Sequence, residues 1–310
     1  MEYSILKIFK KEESVDRVKE KIGYRAVLMQ GLTGNGVGVA VMDTGAFLHP
    51  DYGRRIIGFA DMVNRRREPY DDCGHGSHVC GIIGGNGALS DGKYSGMAPR
   101  CNLVAVKVLD QKGNGYATDV LAGIDWLLNR KDTLGIRILN ISVGSGGKRS
   151  PREDSALVQG VNRAWDAGLV VVVAAGNNGP GRMTVTTPGI SRKVITVGCS
   201  DDDQEILVGG RRMVDYSGRG PTAEHVCKPD VIAPGKTIVS CASRNGKYAM
   251  KSGTSMSTPI VSGAIALLLE KYPDMTNRDV KLKLKESSRD LGLPKNQQGW
   301  GLLDMERLLN

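Results

Sequence analysis

The 310-residue sequence predicts an α/β protein with a doubly wound, mostly parallel sheet and helices on both faces, arranged as a three-layer sandwich. The first observation is a series of short apolar runs that read as strands buried on both sides. The second is that these runs alternate with helix-like segments, which is typical of successive strand–helix units. The third is composition, because 41 glycines against 5% aromatic residues indicate many tight turns and close crossings between elements.

The apolar runs place five buried strands along the chain. They are predicted at residues 37–42, 103–108, 138–142, 170–175 and 194–198. Helical spacing and helix-start residues predict helices at residues 75–83, 118–128, 155–167, 255–271 and 276–287. Thr118 is the expected N-cap of the second helix. The segment 255–271 is the most apolar and should run through the core, and 276–287 should be the final, amphipathic helix.

The domain organisation follows from the same pattern. No internal repeat or low-complexity linker interrupts residues 31–310, which we therefore interpret as one domain. Residues 1–30 are charged and poorly patterned, and we interpret them as an N-terminal extension. A net charge of +9 is spread along the chain without a basic stripe carrying interleaved aromatics, so nucleic acid is not an expected partner.

The sequence also predicts where the protein is located in the cell and whether its cysteines are paired. The N-terminus lacks the pattern of a secretory signal peptide, and no stretch approaches the roughly 20 apolar residues of a membrane span. A cytoplasmic protein without a membrane partner is the expectation. Six cysteines without a Cys-x-x-Cys pair are expected to be free and mostly buried. A zinc site is not expected, because the spacing of the neighbouring Cys73, His75, His78 and Cys80 matches no zinc finger.

Three glycine-punctuated turns carry the residues of a nucleophilic site. Asp43 ends the first predicted strand, His75 opens a helix, and Ser255 opens the most apolar helix. In a doubly wound sheet, strand carboxyl ends and helix amino ends gather at one edge, so these turns can converge. A serine could then lose its proton to a histidine that a carboxylate orients. Taken alone, the Ser255 turn is also ordinary helix-cap chemistry, and His78 competes with His75 for the role of base.

These motifs resemble those of the subtilisin-like serine peptidases, whose residues follow the order Asp, His, Ser. The resemblance extends from about Gly31 to Asp304 and includes residues 140–144, 174–179, 217–221 and 228–235. It implies that Asp43 orients His75, that His75 acts as base and then acid, and that Ser255 attacks the scissile carbonyl. It also implies that Asn177 donates to the oxyanion, although Asn-Asn-Gly is by itself strong turn chemistry.

The resemblance further implies that an extended peptide or unfolded protein pairs with two edge segments. Thr186 would lie at the floor of the pocket for the residue before the scissile bond, where many relatives have glycine, and it would narrow that pocket. The edge segments correspond to Gly113, Asn114 and Gly115 and to Ser142, Val143 and Gly144.

Catalysis in this family needs no cofactor, and calcium, where it is bound, is structural. Asp51 matches one calcium ligand of secreted relatives. The resemblance also suggests that a short N-terminal segment, Met1 to about Glu20, lies over the cleft and restrains activity, with residues 4–9 paired as a strand. If deletion of the segment changed neither activity nor stability, the inhibitory role would be ruled out. The alternative is that the terminus is merely disordered.

Two functions from different classes are compatible with the sequence. The leading interpretation is a serine endopeptidase that acts either in general intracellular proteolysis or in dedicated peptide processing. The alternative is a catalytically silent pseudoprotease that only binds peptides, since a fold does not prove activity. An esterase of the α/β-hydrolase type is excluded because Gly-x-Ser-x-Gly is missing around Ser255.

Overall fold

Seven parallel strands form the central sheet. The computed structural model describes residues 15–144, 152–203, 205–208, 211–243 and 247–310. The strands are β1 (Gly38–Asp43), β2 (Ile56–Asp61), β3 (Asn102–Lys107), β4 (Ile136–Ile141), β5 (Val170–Ala174), β6 (Ile195–Cys199), β7 (Ile206–Val208), β8 (Arg211–Met213), β9 (Val231–Ala233), β10 (Ile238–Cys241) and β11 (Tyr248–Lys251). The sheet order is β2-β3-β1-β4-β5-β6-β9, while β7–β8 and β10–β11 are separate antiparallel pairs.

Helices cover both faces of this sheet. They are α1 (Val15–Lys21), α2 (Arg25–Gln30), α3 (His75–Gly84), α4 (Ala117–Leu128), α5 (Ala156–Asp166), α6 (Thr254–Lys271), α7 (Asn277–Ser287), α8 (Lys295–Gln298) and α9 (Met305–Leu309). Gly123 of α4 lies against Met42 and Val106, whereas Gly84 of α3 faces Leu103. Alternate strand residues point to opposite faces, so α3 and α4 cover opposite sides. The predicted fold class is confirmed.

Several details of the predicted elements are wrong. Helix α4 begins at Ala117 after Tyr116, so Thr118 is its second residue and not its N-cap. Helix α6 begins at Thr254, one residue before the prediction. The helix ending at Ser287 is not the last, because α8 and α9 follow it. Strands β2 and β9 were not predicted, since β2 is a half-buried edge strand and β9 has only three residues.

The described part of the N-terminal extension packs against the rest of the fold. Val18, Ile22 and Val27 are fully buried within the main core. Arg17 forms an ion pair with Asp201 at 2.9 Å, and the Met305 amide donates to the Ile22 carbonyl at 2.8 Å. Residues 15–30 are therefore structurally continuous with the domain. The strand predicted at residues 4–9 lies outside the described residues, and the domain boundary at residue 30 stays a prediction.

The core is one layer of small and branched side chains on each face of the sheet. Every residue of β1, β5 and β6 is buried, which explains their uninterrupted apolar sequences. Helix α6 runs through this core, with Gly263 close to Met97. Within the described ranges, no helix is long and apolar enough to cross a bilayer.

Candidate active site

Asp43 and His75 meet at the edge of the sheet where β1 ends and α3 begins. The His75 Nδ1–H donates to Asp43 Oδ1 at 2.7 Å, and the Thr44 amide donates to the same oxygen at 2.7 Å. Asp43 Oδ2 is buried and has no hydrogen-bond partner among the described residues. The imidazole is therefore held in one tautomer, with Nε2 free to accept a proton.

Glycines permit this close approach between β1 and α3. A Cβ at Gly76 would lie 2.1 Å from the Gly45 carbonyl oxygen and 3.2 Å from the Cβ of Asp43. Gly74, the residue before the helix, has φ 85°, a left-handed conformation that favours glycine. The imidazole of His75 can therefore lie against the Asp43 carboxylate because both of its neighbours, Gly74 and Gly76, are glycines. A side chain at either neighbouring position would prevent this approach.

Asp71 fixes the loop that leads into His75, and sequence reasoning missed it. Its buried carboxylate accepts hydrogen bonds from the Thr44 hydroxyl, from the amides of Cys73 and Gly74, and from both the amide and the hydroxyl of Ser77, all between 2.6 and 3.0 Å. The Gly76 amide donates to Thr44 Oγ1 at 2.9 Å. This network ties the end of β1 to the start of α3. The only signal in the sequence is an aspartate four residues before His75.

Ser255 is the second residue of α6 and lies at its amino end. Gly253 precedes the helix with φ 137°, so the chain enters the helix through a conformation that favours glycine. The Ser255 hydroxyl donates to the Ser142 carbonyl at 2.7 Å. In this conformation the hydroxyl is bonded to Ser142 and not to His75, so it must leave the Ser142 carbonyl before His75 can accept its proton.

Asn177 lies beside the amino end of α6 with its amide oriented by Thr254. The Asn177 side-chain oxygen accepts from the Thr254 amide at 3.0 Å and from the Thr254 hydroxyl at 3.1 Å. Its NH₂ group is left next to Gly253, where an added Cβ would lie 3.1 Å from Nδ2. A donor is therefore held in place near Ser255. Sequence reasoning identified Asn177 but missed Thr254.

Replacing Asn177 with alanine is expected to lower kcat by about 10²–10³-fold with little change in KM, which is the magnitude measured for such a donor in a subtilisin. The physical reason is that the donor stabilises negative charge that exists only in the transition state. Steady-state kinetics on a peptide substrate measures the effect. Asn129→Ala, at the distant end of α4, is the matched control, and an equal loss in both variants would contradict the assignment.

His78 is excluded as the base by its surroundings. Its Nε2–H is shared between the carbonyls of Ile238 and Ala249, each at 3.0 Å, and its buried Nδ1 has no hydrogen-bond partner in the described part of the chain. Burial, with a smaller contribution from the charge of Lys251, lowers the pKa of His78 to about 3. The side chain stays neutral and packs α3 against β10 and β11.

The pKa of His75 predicts the acid limb of the pH profile. Burial lowers this pKa, but the charge of Asp43 and its hydrogen bond outweigh burial and raise it above 6.5. A protonated imidazole cannot act as a base, so kcat/KM should fall as the pH drops through a value above 6.5. A pH–rate profile with an uncharged peptide checks this. An acid limb below pH 6 in an active enzyme would contradict it.

Most of the predicted site residues line one cleft of about 620 Å³, whereas Asp43 is fully buried against His75 and Asn114 and Gly115 lie outside this cleft. Thr186 is a buried residue that lines the cleft, and its hydroxyl oxygen lies 2.2 Å from the position of a Cβ on Gly144 and 2.5 Å from that on Gly176. Any side chain at either glycine would therefore clash with Thr186. The cleft is lined by Thr44, Cys73, His75, Leu109, Lys112, Gly113, Ser142, Val143, Gly144, Ala174, Gly176, Asn177, Asn178, Thr186, Lys251, Thr254 and Ser255.

A second, more apolar pocket of about 360 Å³ adjoins this cleft and shares Gly113, Val143 and Gly144 with it. The remaining predicted edge residues, Asn114 and Gly115, line this second pocket. The two segments predicted to bind substrate are thus neighbours that form the walls of a continuous groove. Sequence reasoning did not anticipate the apolar pocket, whose lining also includes Tyr116, Val120 and Leu157.

All six cysteines are free, and four of them are buried, which confirms the prediction of unpaired, mostly buried thiols. Cys73 is half-buried in the cleft, two residues before His75. We expect a thiol reagent that modifies Cys73 to inactivate the enzyme, and Cys73→Ala to protect it. Burial raises the pKa of this thiol, so inactivation should be slow at neutral pH and faster at high pH.

Residual activity after treatment with iodoacetamide at several pH values measures this effect. Cys227→Ala is the matched control, because Cys227 is exposed and donates to the Lys295 carbonyl. Protection by Cys227→Ala and not by Cys73→Ala would contradict the prediction.

The donors around Asp51 do not fit calcium. Asp51 Oδ1 accepts from the Leu89 amide at 3.2 Å, and Oδ2 accepts from the Tyr248 hydroxyl at 2.8 Å and the Cys241 thiol at 3.6 Å. Among the described histidine, cysteine, aspartate and glutamate side chains, the ligand atoms grouped with it within 4.8 Å come from His49 and Cys241, a nitrogen and a sulfur. Calcium requires six to eight oxygens. Asp51 is instead a buried acceptor that joins three segments of the fold.

Comparison with known proteins agrees with this geometry. Residues 34–301 match the sequence profile described as the Subtilase family. Serine protease AprX of Bacillus subtilis (strain 168) is 45% identical, and the match covers 84% of this chain and 62% of that protein. Subtilisin Savinase of Lederbergia lenta is 34% identical over 89% of this chain and 92% of its own length. The chain therefore spans less than two thirds of AprX but nearly all of Savinase.

Solved structures are similar over the same region. Sphericase superposes with a TM-score of 0.73 at 29% identity, covering 88% of this chain and 92% of that chain. A cold adapted subtilisin-like serine proteinase gives a TM-score of 0.72 at 28% identity, over 88% and 90% of the two chains. With the fold, the Asp43–His75 pair and the helix-borne Ser255 in one cleft, the chain belongs to the subtilase family of serine peptidases.

Proposed function

We propose that this chain is a serine endopeptidase that hydrolyses peptide bonds through Asp43, His75 and Ser255. The observation that carries the proposal is the 2.7 Å hydrogen bond between Asp43 and His75, in the same cleft as a serine at the amino end of a helix. A peptide-binding module needs a groove but has no use for an oriented imidazole. The pseudoprotease alternative is therefore the weaker of the two.

The reaction begins with Ser255. After leaving the Ser142 carbonyl, its hydroxyl transfers a proton to His75 Nε2 as the oxygen attacks the scissile carbonyl. Negative charge develops on the carbonyl oxygen, where the Asn177 side chain and the Ser255 amide donate hydrogen bonds. The charge of Asp43 stabilises the imidazolium that forms at the same time.

The second half of the reaction moves the proton on through His75 and returns the enzyme to its starting state. His75 gives its proton to the leaving amine, which departs and leaves an acyl group on Ser255. A water molecule then attacks the acyl carbon with His75 as base, and the collapse of that intermediate regenerates the serine. The cycle restores both groups, because the serine proton leaves with the amine and a proton from the water replaces it, so the chemistry consumes no cofactor.

Substrate recognition in the proposed mechanism depends on backbone pairing. An extended peptide adds as a strand between the segments 113–115 and 142–144, which form the walls of the groove. Side chains of the substrate enter the pockets beside these segments. The buried Thr186 narrows the pocket for the residue before the scissile bond, so small or medium side chains are preferred there over large aromatic ones.

The biological role is either general intracellular proteolysis or the processing of one partner or leader peptide. Cytoplasmic residence is supported by six unpaired cysteines, which suit a reducing compartment. A digest of unfolded casein separates the two roles, because a general protease releases many fragments and a dedicated one releases almost none. Cell fractionation with an antibody to the chain tests the location.

A fluorophosphonate probe tests the activity itself. It reacts with an activated serine, so the folded wild type should be labelled and Ser255→Ala should not. Absence of labelling in a folded wild-type protein would establish the pseudoprotease instead.

A further inference from the structure

Lys251 brings a positive charge into the cleft beside the catalytic groups. It is the last residue of β11, four residues before Ser255, and it lines the cleft together with Cys73 and His75. Its side chain is half-buried, and its charge acts on His75 and on the buried His78. A cation in this position meets whatever part of the substrate lies against His75.

No carboxylate among the described residues is paired with Lys251. Among the described residues that line the cleft there are two lysines, Lys112 and Lys251, and no aspartate or glutamate. Asp43 and Asp71 lie buried behind His75, and each has its own hydrogen bonds. Lys107, a buried lysine nearby, is paired with Asp72 at 2.7 Å, whereas Lys251 has no carboxylate within ion-pair distance among the described residues.

Lys112 differs from Lys251 in both location and surroundings. It follows Asp110, whose charge interacts with it, and it lies beside Gly113 on the wall that pairs with the acyl part of the substrate. Lys251 belongs to the β10–β11 hairpin, which packs on α3 through the bonds of His78 to Ile238 and Ala249. Lys251 therefore lies on the His75 side of Ser255.

The reaction defines what lies on that side. In the proposed mechanism the acyl part of the substrate pairs with residues 142–144, and His75 gives its proton to the leaving amine. The first residue after the scissile bond therefore passes His75 and comes near Lys251. We propose, on the basis of the proposed function, that Lys251 binds an acidic side chain there and makes the enzyme select peptide bonds followed by glutamate or aspartate.

The size of the expected preference for an acidic residue after the scissile bond follows from the strength of a single ion pair. A partly solvated ion pair changes binding by about 0.2–1 kcal/mol, which corresponds to about one-and-a-half- to fivefold in kcat/KM. Salt screens such a pair, since the Debye length falls to about 3 Å at 1 M ionic strength. The preference should therefore be several-fold at low salt and should nearly vanish in 1 M NaCl.

The experiment uses quenched fluorescent peptides that differ only in the residue after the scissile bond, which is glutamate, glutamine or lysine. The residue before that bond is first chosen by mass spectrometry of casein fragments. At pH 8.5 and low salt, the wild type should cleave the glutamate peptide fastest and the lysine peptide slowest. Lys251→Met should bring the glutamate-to-glutamine ratio close to one, and Lys251→Glu should reverse the order.

Lys247→Met is the matched control, because Lys247 is exposed near the start of the same strand and does not line the cleft. It should keep the wild-type ratio. The inference would be overturned if the wild type cleaved the glutamate and glutamine peptides equally, or if Lys251→Met kept the wild-type glutamate-to-glutamine ratio. Either result would leave the proposed endopeptidase activity unaffected.

Failure of the proposed function gives a different result, namely that the wild type cleaves none of the peptides. The charge inference is then decided by binding. Fluorescence anisotropy of the labelled peptides on Ser255→Ala should show tighter binding of the glutamate peptide, lost when Lys251→Met is added. Equal binding of the three peptides would refute the role of Lys251.

Discussion

Ser255→Ala is expected to lower kcat by about 10⁶-fold, the size of the loss measured for the nucleophilic serine of a subtilisin. Without the hydroxyl there is no acyl-enzyme, and only the oxyanion donors and substrate binding remain to accelerate attack by water. KM should change little, because the groove along residues 113–115 and 142–144 is untouched. Release of fluorescence from a quenched peptide, followed over hours for the variant, measures the loss.

The fold should tolerate this substitution. Ser255 loses one hydrogen bond to the Ser142 carbonyl, which costs about 0.5–1.5 kcal/mol in the free energy of unfolding. Ser252→Ala is the matched control in the same loop, because Ser252 Oγ accepts from the Thr237 amide and takes no part in the chemistry. If Ser252→Ala lost as much activity as Ser255→Ala, the loss would reflect the loop and not the nucleophile.

The sequence predicts the catalytic residues more fully than it predicts the residues that hold them in position. Asp43, His75, Ser255 and Asn177 each lie in a glycine-rich turn, and glycine spacing is visible in a sequence. Asp71 and Thr254 are not marked in this way, because their importance comes from hydrogen bonds that form only after distant turns converge. The same is true of Lys251, whose charge becomes meaningful only when β11 is placed beside His75.

The errors in the fold have a comparable origin. Strands buried on both faces carry a strong apolar signal and were predicted within two residues of their ends. Edge strand β2 is half-buried or exposed at its first four positions and buried only at its last two, and Val18 is the buried side chain of helix α1 among the described residues. Asp51 matches a calcium ligand of secreted relatives, but the identities of His49 and Cys241 as its neighbours depend on tertiary packing.

Asp43→Asn is expected to lower kcat by about 10⁴-fold, the size measured for the same substitution of the orienting aspartate in a serine peptidase. The asparagine oxygen can still accept from the Thr44 amide and from His75, because both bonds are made to Oδ1. Its NH₂ group would occupy the position of Oδ2, which is buried and without a partner. The loss therefore comes mainly from the missing negative charge beside the imidazolium.

The pH dependence distinguishes this explanation from a collapsed site. Asp43 raises the pKa of His75 above 6.5, so removing the charge should move the acid limb of kcat/KM to lower pH. A raised histidine pKa stabilises the fold at pH values below the unfolded pKa, and that stabilisation is lost as the pH rises through the folded pKa. Asp43→Asn should therefore lower Tm more at pH 5 than at pH 9.

Both measurements are made against controls that isolate the charge. Tm is compared in the Ser255→Ala background, so that self-digestion does not contribute. Asp132→Asn removes an exposed aspartate that pairs with Lys131, and it should leave the pH profile where it is. An unshifted acid limb in an Asp43→Asn enzyme of reduced activity would mean that Asp43 holds His75 by position alone, because its charge would then have no effect on the proton that His75 carries.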